Sequence, residues 1–436
     1  MKRSLLRSMT GTVARAVIAR AGSILASFLL TIVAARLLGV DAAGSYFLVF
    51  TSLTILATFG RFGTDNLALK ICGGDAPNVR AELGHSALIA GVVSVTGVAA
   101  VYAVVSLTNY SLPGFDSSWT LAVIAAAIPQ AFAVIAGAVL RGRDFMAVGI
   151  IAELGSIPIL SIALMWIFSA FGVVDLTGAL LSLVVASWLT ALWAVLAAIV
   201  SVRGEPKLLR AHWFTGFRDF SRRRTRQLAP MMGTSLLFYI LTWSPLYALS
   251  IMSTLANVSY FTVAARLANV VSLVPTLQVA YLAPAFARLF HQGKLVELNA
   301  LCGQAVRQAV AFLAIPVLVL AIGAAPIVTL LYGADFAPAA GPLAVLTLGA
   351  LLVVLVGQVN QLMLLCNLES HALVLNIVLV VLWATAGLWI AAQFGAFGAS
   401  VFSVAVSAFY ALAAAALLKV RRGIRSYFVV EWHRNR

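Results

Sequence analysis

Residues 371–392 read HALVLNIVLVVLWATAGLWIAA and contain no Asp, Glu, Lys or Arg. A helix needs roughly 20 mainly apolar residues to cross a bilayer, and this stretch meets that requirement. The chain holds about twelve such stretches, and the predicted spans are 12–38, 42–64, 84–107, 118–140, 147–170, 176–202, 229–253, 257–286, 299–330, 342–366, 371–392 and 395–418. These runs are continuously apolar and lack the alternation of barrel strands. The sequence therefore predicts an all-α polytopic membrane protein.

The charges orient these spans. The chain is 62% hydrophobic and 10% charged, yet its formal net charge is +15. Basic residues precede the first span and fill every second loop, with the largest group between residues 203 and 226, whereas the intervening loops carry acids such as Asp41 and Asp175. Positively charged loops remain in the cytoplasm, so we expect both termini to be cytoplasmic.

The remaining composition limits the functional classes. The spans leave no room for a soluble catalytic domain, and no nucleophile constellation, phosphate loop or metal-ligand spacing occurs. The three cysteines (Cys72, Cys302 and Cys366) are dispersed and imply no disulfide framework. We expect a protein that is not an enzyme and uses no cofactor or metal.

The chain divides at its longest basic loop. The predicted parts are an N-terminal six-helix lobe (1–202), a basic linker (203–228), a C-terminal six-helix lobe (229–419) and a basic cytoplasmic tail (420–436). Weak internal similarity indicates a duplication, because Ser259-Tyr260-Phe261 follows Ser45-Tyr46-Phe47 by 214 residues. Two halves with six spans each run parallel, an arrangement that transporters use to rock two lobes about a central site.

The linker has apolar residues at helical spacing among its basic residues. Leu209, Trp213, Phe217 and Phe220 form the apolar series, which predicts an amphipathic helix on the anionic inner leaflet. Nucleic-acid binding is a poor alternative for a loop tethered at the membrane. We expect anionic membrane lipids as its partner.

Polar stripes occur on the first, second, seventh and eighth spans. Residues three, four and seven apart share a helix face, and these stripes contain Arg20 with Ser23, Ser27 and Thr31; Thr51, Thr54, Thr58, Arg61 and Asp65; Ser235, Tyr239 and Thr242; and Ser259, Thr262, Arg266 and Asn269. Charges inside spans indicate functional sites. The sequence therefore predicts a cationic cavity with Arg15, Arg20, Arg61, Arg266 and Asn269 as substrate-binding residues.

Each charged residue also has a structural alternative. Arg15 and Arg266 are long enough to snorkel to the membrane surface, and Arg61 with Asp65 forms an i, i+4 pair that can be purely structural. Glu153 is the acid lying well inside a span. It either pairs with a cavity Arg or carries a coupling ion. A net cationic cavity favours an anionic substrate, since the guanidinium fork meets phosphate oxygens bidentately.

The segment 34–39 (AARLLG), followed by 44–47 (GSYF), resembles the exit of the first helix in bacterial polysaccharide flippases. These are the Wzx-like members of the multidrug/oligosaccharidyl-lipid/polysaccharide (MOP) exporter superfamily. The runs 260–266 (YFTVAAR) and 331–336 (LYGADF) are similar to segments near that family's eighth and ninth helices.

The resemblance implies two six-helix lobes, MOP/MATE-like in fold, around a cavity open alternately to either side of the bacterial inner membrane. It implies an undecaprenyl-diphosphate-linked oligosaccharide as the cargo for surface polysaccharides such as O-antigen, with other polysaccharide assembly proteins as partners. About twelve spans depart from the fourteen of relatives dedicated to the peptidoglycan precursor. The alternative is a cation-coupled, MATE-like small-molecule exporter, for which Glu153 and Asp65 are the candidate ion-coupling residues.

Overall fold

The computed structural model describes residues 2–73, 79–108, 117–172, 175–203, 213–366, 368–424 and 426. The side chains of residues 2–14 and 213–223 also lie outside the description. Several predicted features fall wholly or partly there. They are the start of the basic linker, its apolar series Leu209, Trp213, Phe217 and Phe220, and most of the tail 420–436.

Every regular element in the described residues is helical. The first nine α-helices are α1 (Lys2–Arg61), α2 (Thr64–Gly73), α3 (Val79–Thr108), α4 (Thr120–Ala125), α5 (Ala127–Gly142), α6 (Met146–Ile150), α7 (Ser156–Ala170), α8 (Leu176–Ser201) and α9 (Trp213–Met252). The remaining eight are α10 (Leu255–Ala268), α11 (Leu273–His291), α12 (Leu295–Ile322), α13 (Ala324–Tyr332), α14 (Ala340–Val356), α15 (Val359–Leu365), α16 (Glu369–Leu382) and α17 (Leu388–Arg422). Two π-helical segments, Ile151–Gly155 and Trp383–Gly387, interrupt spans.

The described residues contain ten helices that are long and apolar enough to cross a membrane. Two of these are bent at glycines with positive φ, α1 at Gly39 (φ 73°) and α17 at Gly395 (φ 54°). The stretch Glu369–Arg422 has 54 residues, about 80 Å at 1.5 Å per residue, which exceeds one crossing of a ~30 Å hydrocarbon core. Counted as two crossings each, the bent helices bring the total to the predicted twelve, which confirms the polytopic all-α prediction.

The chain folds as two compact units, Met1–Ile240 and Leu241–Arg436. The boundary lies inside α9, which also contains the second half of the predicted linker. Arg224 in that half forms an ion pair with Glu82 of α3 at 3.0 Å, and Leu228 is fully buried in the core of the first unit. This end of the linker is therefore packed against protein, while its contact with anionic lipids remains a prediction.

Small residues make up much of the core of the first unit. The span Thr120–Gly142 is the most buried of the ten candidates, and Ala131, Ala133, Ala136 and Ala138 are each at most 3% exposed. Small side chains let membrane helices approach closely. Helix α5 is therefore tightly packed against its neighbours, and Arg141 lies in its last turn.

Candidate functional site

A cluster of charged side chains lies within the first unit. Arg61 ends α1 and donates one hydrogen bond to Asp65 at 3.0 Å and another to the Thr58 hydroxyl at 2.6 Å. Arg61 is 7% exposed. Burial of a cation at this level requires partners, and the carboxylate and the hydroxyl supply them. The predicted Arg61–Asp65 pair is thus present.

The backbone around this pair differs from the predicted continuous helix. Phe62 (φ 51°) and Gly63 (φ 75°) both have left-handed conformations, so α1 ends at Arg61 and Asp65 lies in the first turn of α2. A Cβ atom on Gly63 would stand 2.9 Å from the Cβ of Met231. The prediction that one helix face carries the stripe through Asp65 is therefore wrong. The stripe ends at Arg61, and the turn brings Asp65 back to it.

A second ion pair joins Arg141 of α5 to Glu153 at 3.0 Å. Glu153 lies in the π-helical segment Ile151–Gly155, and single π turns often mark functional positions in helices. Close packing sets this geometry, because a Cβ atom on Gly137 would stand 2.7 Å from the Gly149 carbonyl oxygen. The sequence left two roles open for Glu153, pairing with an arginine or carrying a coupling ion, and the structure contains an arginine partner.

The first half of α1 faces the same π-helical segment. A Cβ atom on Gly155 would stand 2.7 Å from the hydroxyl oxygen of Ser23, and Ser23 is buried with that hydroxyl donating to the Ala19 carbonyl. Arg20 lies less than one turn before Ser23. Arg20 itself is exposed, and no hydrogen bond or ion pair among the described residues joins it to Glu153.

The structure thus pairs the predicted residues Arg61 and Asp65 with each other and pairs the predicted residue Glu153 with Arg141. We call these four residues the charged cluster. Arg15 and Arg20 are both exposed on α1 and take no part in the ion pairs that define it. Sequence reasoning missed Arg141 because it was assigned to a loop. A signal was present, since a glycine precedes each partner by four residues, Gly137 before Arg141 and Gly149 before Glu153.

The second unit holds the other two predicted site residues. The Arg266 guanidinium lies over the Trp243 ring, 5.4 Å from its centroid, a geometry that stabilises a cation through the ring quadrupole. Asn269 is exposed and begins the 3-10 turn Asn269–Ser272 that follows α10. The predicted stripe is buried at Ser259 and Thr262 and becomes accessible towards Arg266 and Asn269.

Aromatic rings connect two of the segments that carried the family resemblance. Phe336 packs edge-to-face on Tyr260 at 6.3 Å and tilted against Tyr332 at 5.9 Å, measured between ring centroids. Gly333 (φ 106°) forms the turn between Tyr332 and Phe336. These residues therefore build the packing around α10, the helix that carries Arg266.

The charged cluster consists of two guanidiniums paired with two carboxylates, so it is formally neutral. The Nε atoms of Arg61 and Arg141 are buried and have no hydrogen-bond partner among the described residues. Buried guanidinium donors are costly when unused, and phosphate oxygens match the fork geometry. No group of His, Cys, Asp and Glu in the described part of the chain is arranged to hold a metal ion.

The solved structures that are similar to this fold include membrane transporters. The lipid II flippase MurJ in an inward closed conformation superposes with a TM-score of 0.68 at 15% identity, covering 93% of this chain and 87% of that chain. An inward-facing multidrug resistance MATE family transporter of the MOP superfamily gives 0.69 at 16% identity, covering 93% and 98%.

A third similar structure is a MOP superfamily transporter from Pyrococcus furiosus, described as having a binding pocket of reverse polarity. It gives a TM-score of 0.61 at 15% identity, covering 94% of this chain and 95% of that chain. No family profile matches the sequence, and no curated protein matches it. The chain therefore has the fold of the MOP superfamily transporters.

Proposed function

We propose that this protein is a flippase that moves an undecaprenyl-diphosphate-linked oligosaccharide across the bacterial cytoplasmic membrane for surface polysaccharide synthesis. It acts by alternating access of two lobes around a cationic cavity and catalyses no covalent chemistry. The observation that carries the proposal is the charged cluster, because the buried Nε donors of Arg61 and Arg141 are not used by the described residues. An anionic headgroup such as a diphosphate is the ligand that satisfies those donors.

The two carboxylates have a defined part in this proposal. Asp65 holds Arg61 and Glu153 holds Arg141, so both guanidiniums are oriented before the cargo arrives. Because the carboxylates compete with the diphosphate for the same donors, the headgroup is released again. Two arginines without such partners would hold the headgroup too tightly for a carrier.

A second candidate is a cation-coupled exporter of small molecules. Two observations favour it, namely the carboxylates of Asp65 and Glu153 in the spanning region and the MATE transporters among the similar structures. In that case the carboxylates would bind the coupling ion, and the arginines would only neutralise them. The unused Nε donors of Arg61 and Arg141 favour the flippase, since the oxygens of an anionic headgroup can accept from them.

Charge reversal separates the two candidates. We expect Arg20→Glu and Arg266→Glu to abolish surface glycan in a host that depends on this protein, while the variants still insert and accumulate. Arg307→Glu serves as the matched control, because Arg307 is an exposed side chain of α12 that belongs to neither site. Unchanged export in both site variants would contradict the cationic cavity.

Loss of the protein identifies the cargo. We expect a lipid-linked oligosaccharide to accumulate on the cytoplasmic side of depleted cells, measured by mass spectrometry of extracted lipids. Accumulation of a small molecule without any lipid-linked glycan would instead support the exporter. Interaction with other polysaccharide assembly proteins, and with anionic lipids at 203–228, belongs to the same proposal.

A further inference from the structure

The second unit contains a cavity of about 290 Å³ between α11, α12, the α14–α15 junction and α17. Its described lining residues carry no charge. Polar side chains line part of it, and these include Gln278, Gln358, Asn360, Tyr410 and Ser426. The cavity is formed within one unit by residues distant from the charged cluster in sequence.

Hydrogen bonds connect several polar groups in the wall of this cavity. Gln278 is 5% exposed and donates to the Ala305 carbonyl at 2.9 Å, while Gln358 donates to the Oε1 atom of Gln278 at 3.1 Å. Tyr410 donates to the side-chain oxygen of Asn360 at 3.0 Å. Most of the amides are thereby fixed in orientation before any ligand enters.

Two groups in the wall have hydrogen-bonding capacity that the described residues do not use. The Oε1 atom of Gln358 and the hydroxyl of Ser426 are both buried without a partner, and Ser426 is only 1% exposed. The helix is interrupted at Gly357 (φ 90°), and Ser426 lies close to this glycine, since a Cβ atom on Gly357 would overlap the Ser426 carbonyl oxygen. A buried acceptor and a buried hydroxyl without partners destabilise the structure. A ligand with hydroxyl groups removes that cost.

The chemistry of the lining narrows the class of ligand. Without a charged lining residue, an ion would lose its hydration without compensation. A hydrocarbon chain would leave the amide and the hydroxyl unsatisfied. The volume is about ten times the ~30 Å³ that a water molecule occupies in the liquid and lies at the lower limit of small-molecule sites, ~300 Å³. Phe286 and the valines of the wall supply apolar surface for C–H groups. A single uncharged sugar ring has all of these properties.

We infer that this cavity binds one uncharged sugar ring, and that the ring belongs to the glycan of the transported lipid. This inference rests on the proposed function for the source of the ring, but not for its chemistry. The charged cluster in the first unit then binds the diphosphate, and the neutral cavity in the second unit binds a sugar.

Two variants test the site on the purified full-length protein in nanodiscs. Ala309→Phe fills the cavity, since Ala309 is a buried lining residue of α12. Ser426→Ala removes this hydroxyl and leaves the fold at least as stable, because none of the described residues bonds to it. The matched control is Ile315→Phe, which adds an aromatic ring to the lipid-facing side of the same helix, where Ile315 is 72% exposed.

Binding is measured by saturation-transfer NMR with glucose, galactose and N-acetylglucosamine as probes and glucuronic acid as the charged comparison. We expect millimolar binding of a neutral sugar, weakened at least tenfold by Ala309→Phe, several-fold by Ser426→Ala and not at all by Ile315→Phe. No transfer to any neutral sugar, which means a cavity filled by water only, overturns the inference. Equal transfer in Ala309→Phe also overturns it.

Glycan export in cells distinguishes the two sources of the ring. A ring of the cargo predicts that Ala309→Phe lowers export together with sugar binding. Lost binding with unchanged export would show a site for a free sugar and overturn the assignment to the cargo. Failure of the proposed function is a separate result, because it appears as the absence of accumulated lipid-linked glycan in depleted cells, whatever the NMR shows.

Discussion

The two units place different chemistry at corresponding positions. Shifted by the 214 residues that separate Ser45 from Ser259, Arg61 corresponds to Pro275 and Asp65 to Val279. Arg61 and Asp65 form the buried ion pair of the charged cluster. Pro275 and Val279 line the neutral cavity of the second unit. At these two positions of the predicted duplication, the first unit carries an ion pair and the second carries neutral side chains.

The difference also shows in how each unit orients its polar side chains. In the charged cluster, orientation comes from ion pairs held by close glycine contacts. In the second unit it comes from amide hydrogen bonds between neutral side chains. Ion pairs respond to an arriving anion because the anion competes for the same donors. Neutral amides do not release their partners in this way. The first unit is therefore suited to binding and releasing charge, and the second to recognising shape and hydroxyl groups.

The largest effect is expected from reversing the charge of Arg61. Arg61→Glu removes the hydrogen bond to Thr58 and places two carboxylates at i, i+4, where like charges repel. We expect glycan export to fall by roughly 100-fold or more, about 2.7 kcal/mol, since each tenfold change is about 1.4 kcal/mol. Export is measured as surface glycan per inserted protein. Arg307→Glu should leave it within about threefold, and an equal loss in both variants would show that the effect is not specific to the cluster.

The second effect concerns the glycine contact beneath the Arg141–Glu153 pair. Gly137→Ala sets a methyl group against the Gly149 carbonyl oxygen and forces α5 from α6. We expect a loss of about 2–3 kcal/mol, the upper part of the range for overpacking, measured as the free energy of unfolding in detergent.

Gly22→Ala is its control, because a Cβ atom at Gly22 has no neighbour within 4 Å. It should be neutral or stabilising by up to ~1 kcal/mol, since alanine favours helix. Equal behaviour of the two variants would show that the glycine contact does not position the ion pair.

Hydropathy predicted the spans well because crossing a bilayer requires long apolar helices whatever their tertiary contacts. The Arg61–Asp65 pair was predictable for a similar reason, since its partners are four residues apart. The helix break between them was not, because the left-handed conformation of Phe62 depends on packing around Gly63.

Contacts between distant helices could be predicted only in part. Arg141 and Glu153 meet because α5 and α6 touch at Gly137 and Gly149, and the glycine spacing within each helix does not show that these two glycines face each other. Arg266 was assigned to a polar cavity on the basis of its stripe. Its ring partner Trp243, however, lies on α9, the helix that precedes α10. The neutral cavity could not be predicted from the sequence either, because single amides in spans usually join helices by hydrogen bonds.

The third prediction measures how strongly the charges of the first unit are coupled. The side chains of Arg141 and Glu153 are 26% and 21% exposed, so the pair is partly shielded from water. We expect Arg141→Met and Glu153→Gln each to destabilise the protein and the double variant to recover part of the loss. The coupling free energy should be about 1–2 kcal/mol, within the range for contacting residues. Additive single effects would mean that the pair does not act as a unit.

The smallest coupling free energy is expected for the hydrogen-bonded glutamines of the second unit. In a cycle with Gln278→Leu and Gln358→Leu, we expect a coupling of about 0.6 kcal/mol, the average for hydrogen bonds between membrane helices. Unfolding at low and high salt separates the two units, since accessible ion pairs weaken with salt and amide pairs do not. A salt-dependent coupling for the glutamines, or one larger than that of Arg141 and Glu153, would contradict the assignment of charge recognition to the first unit and neutral recognition to the second.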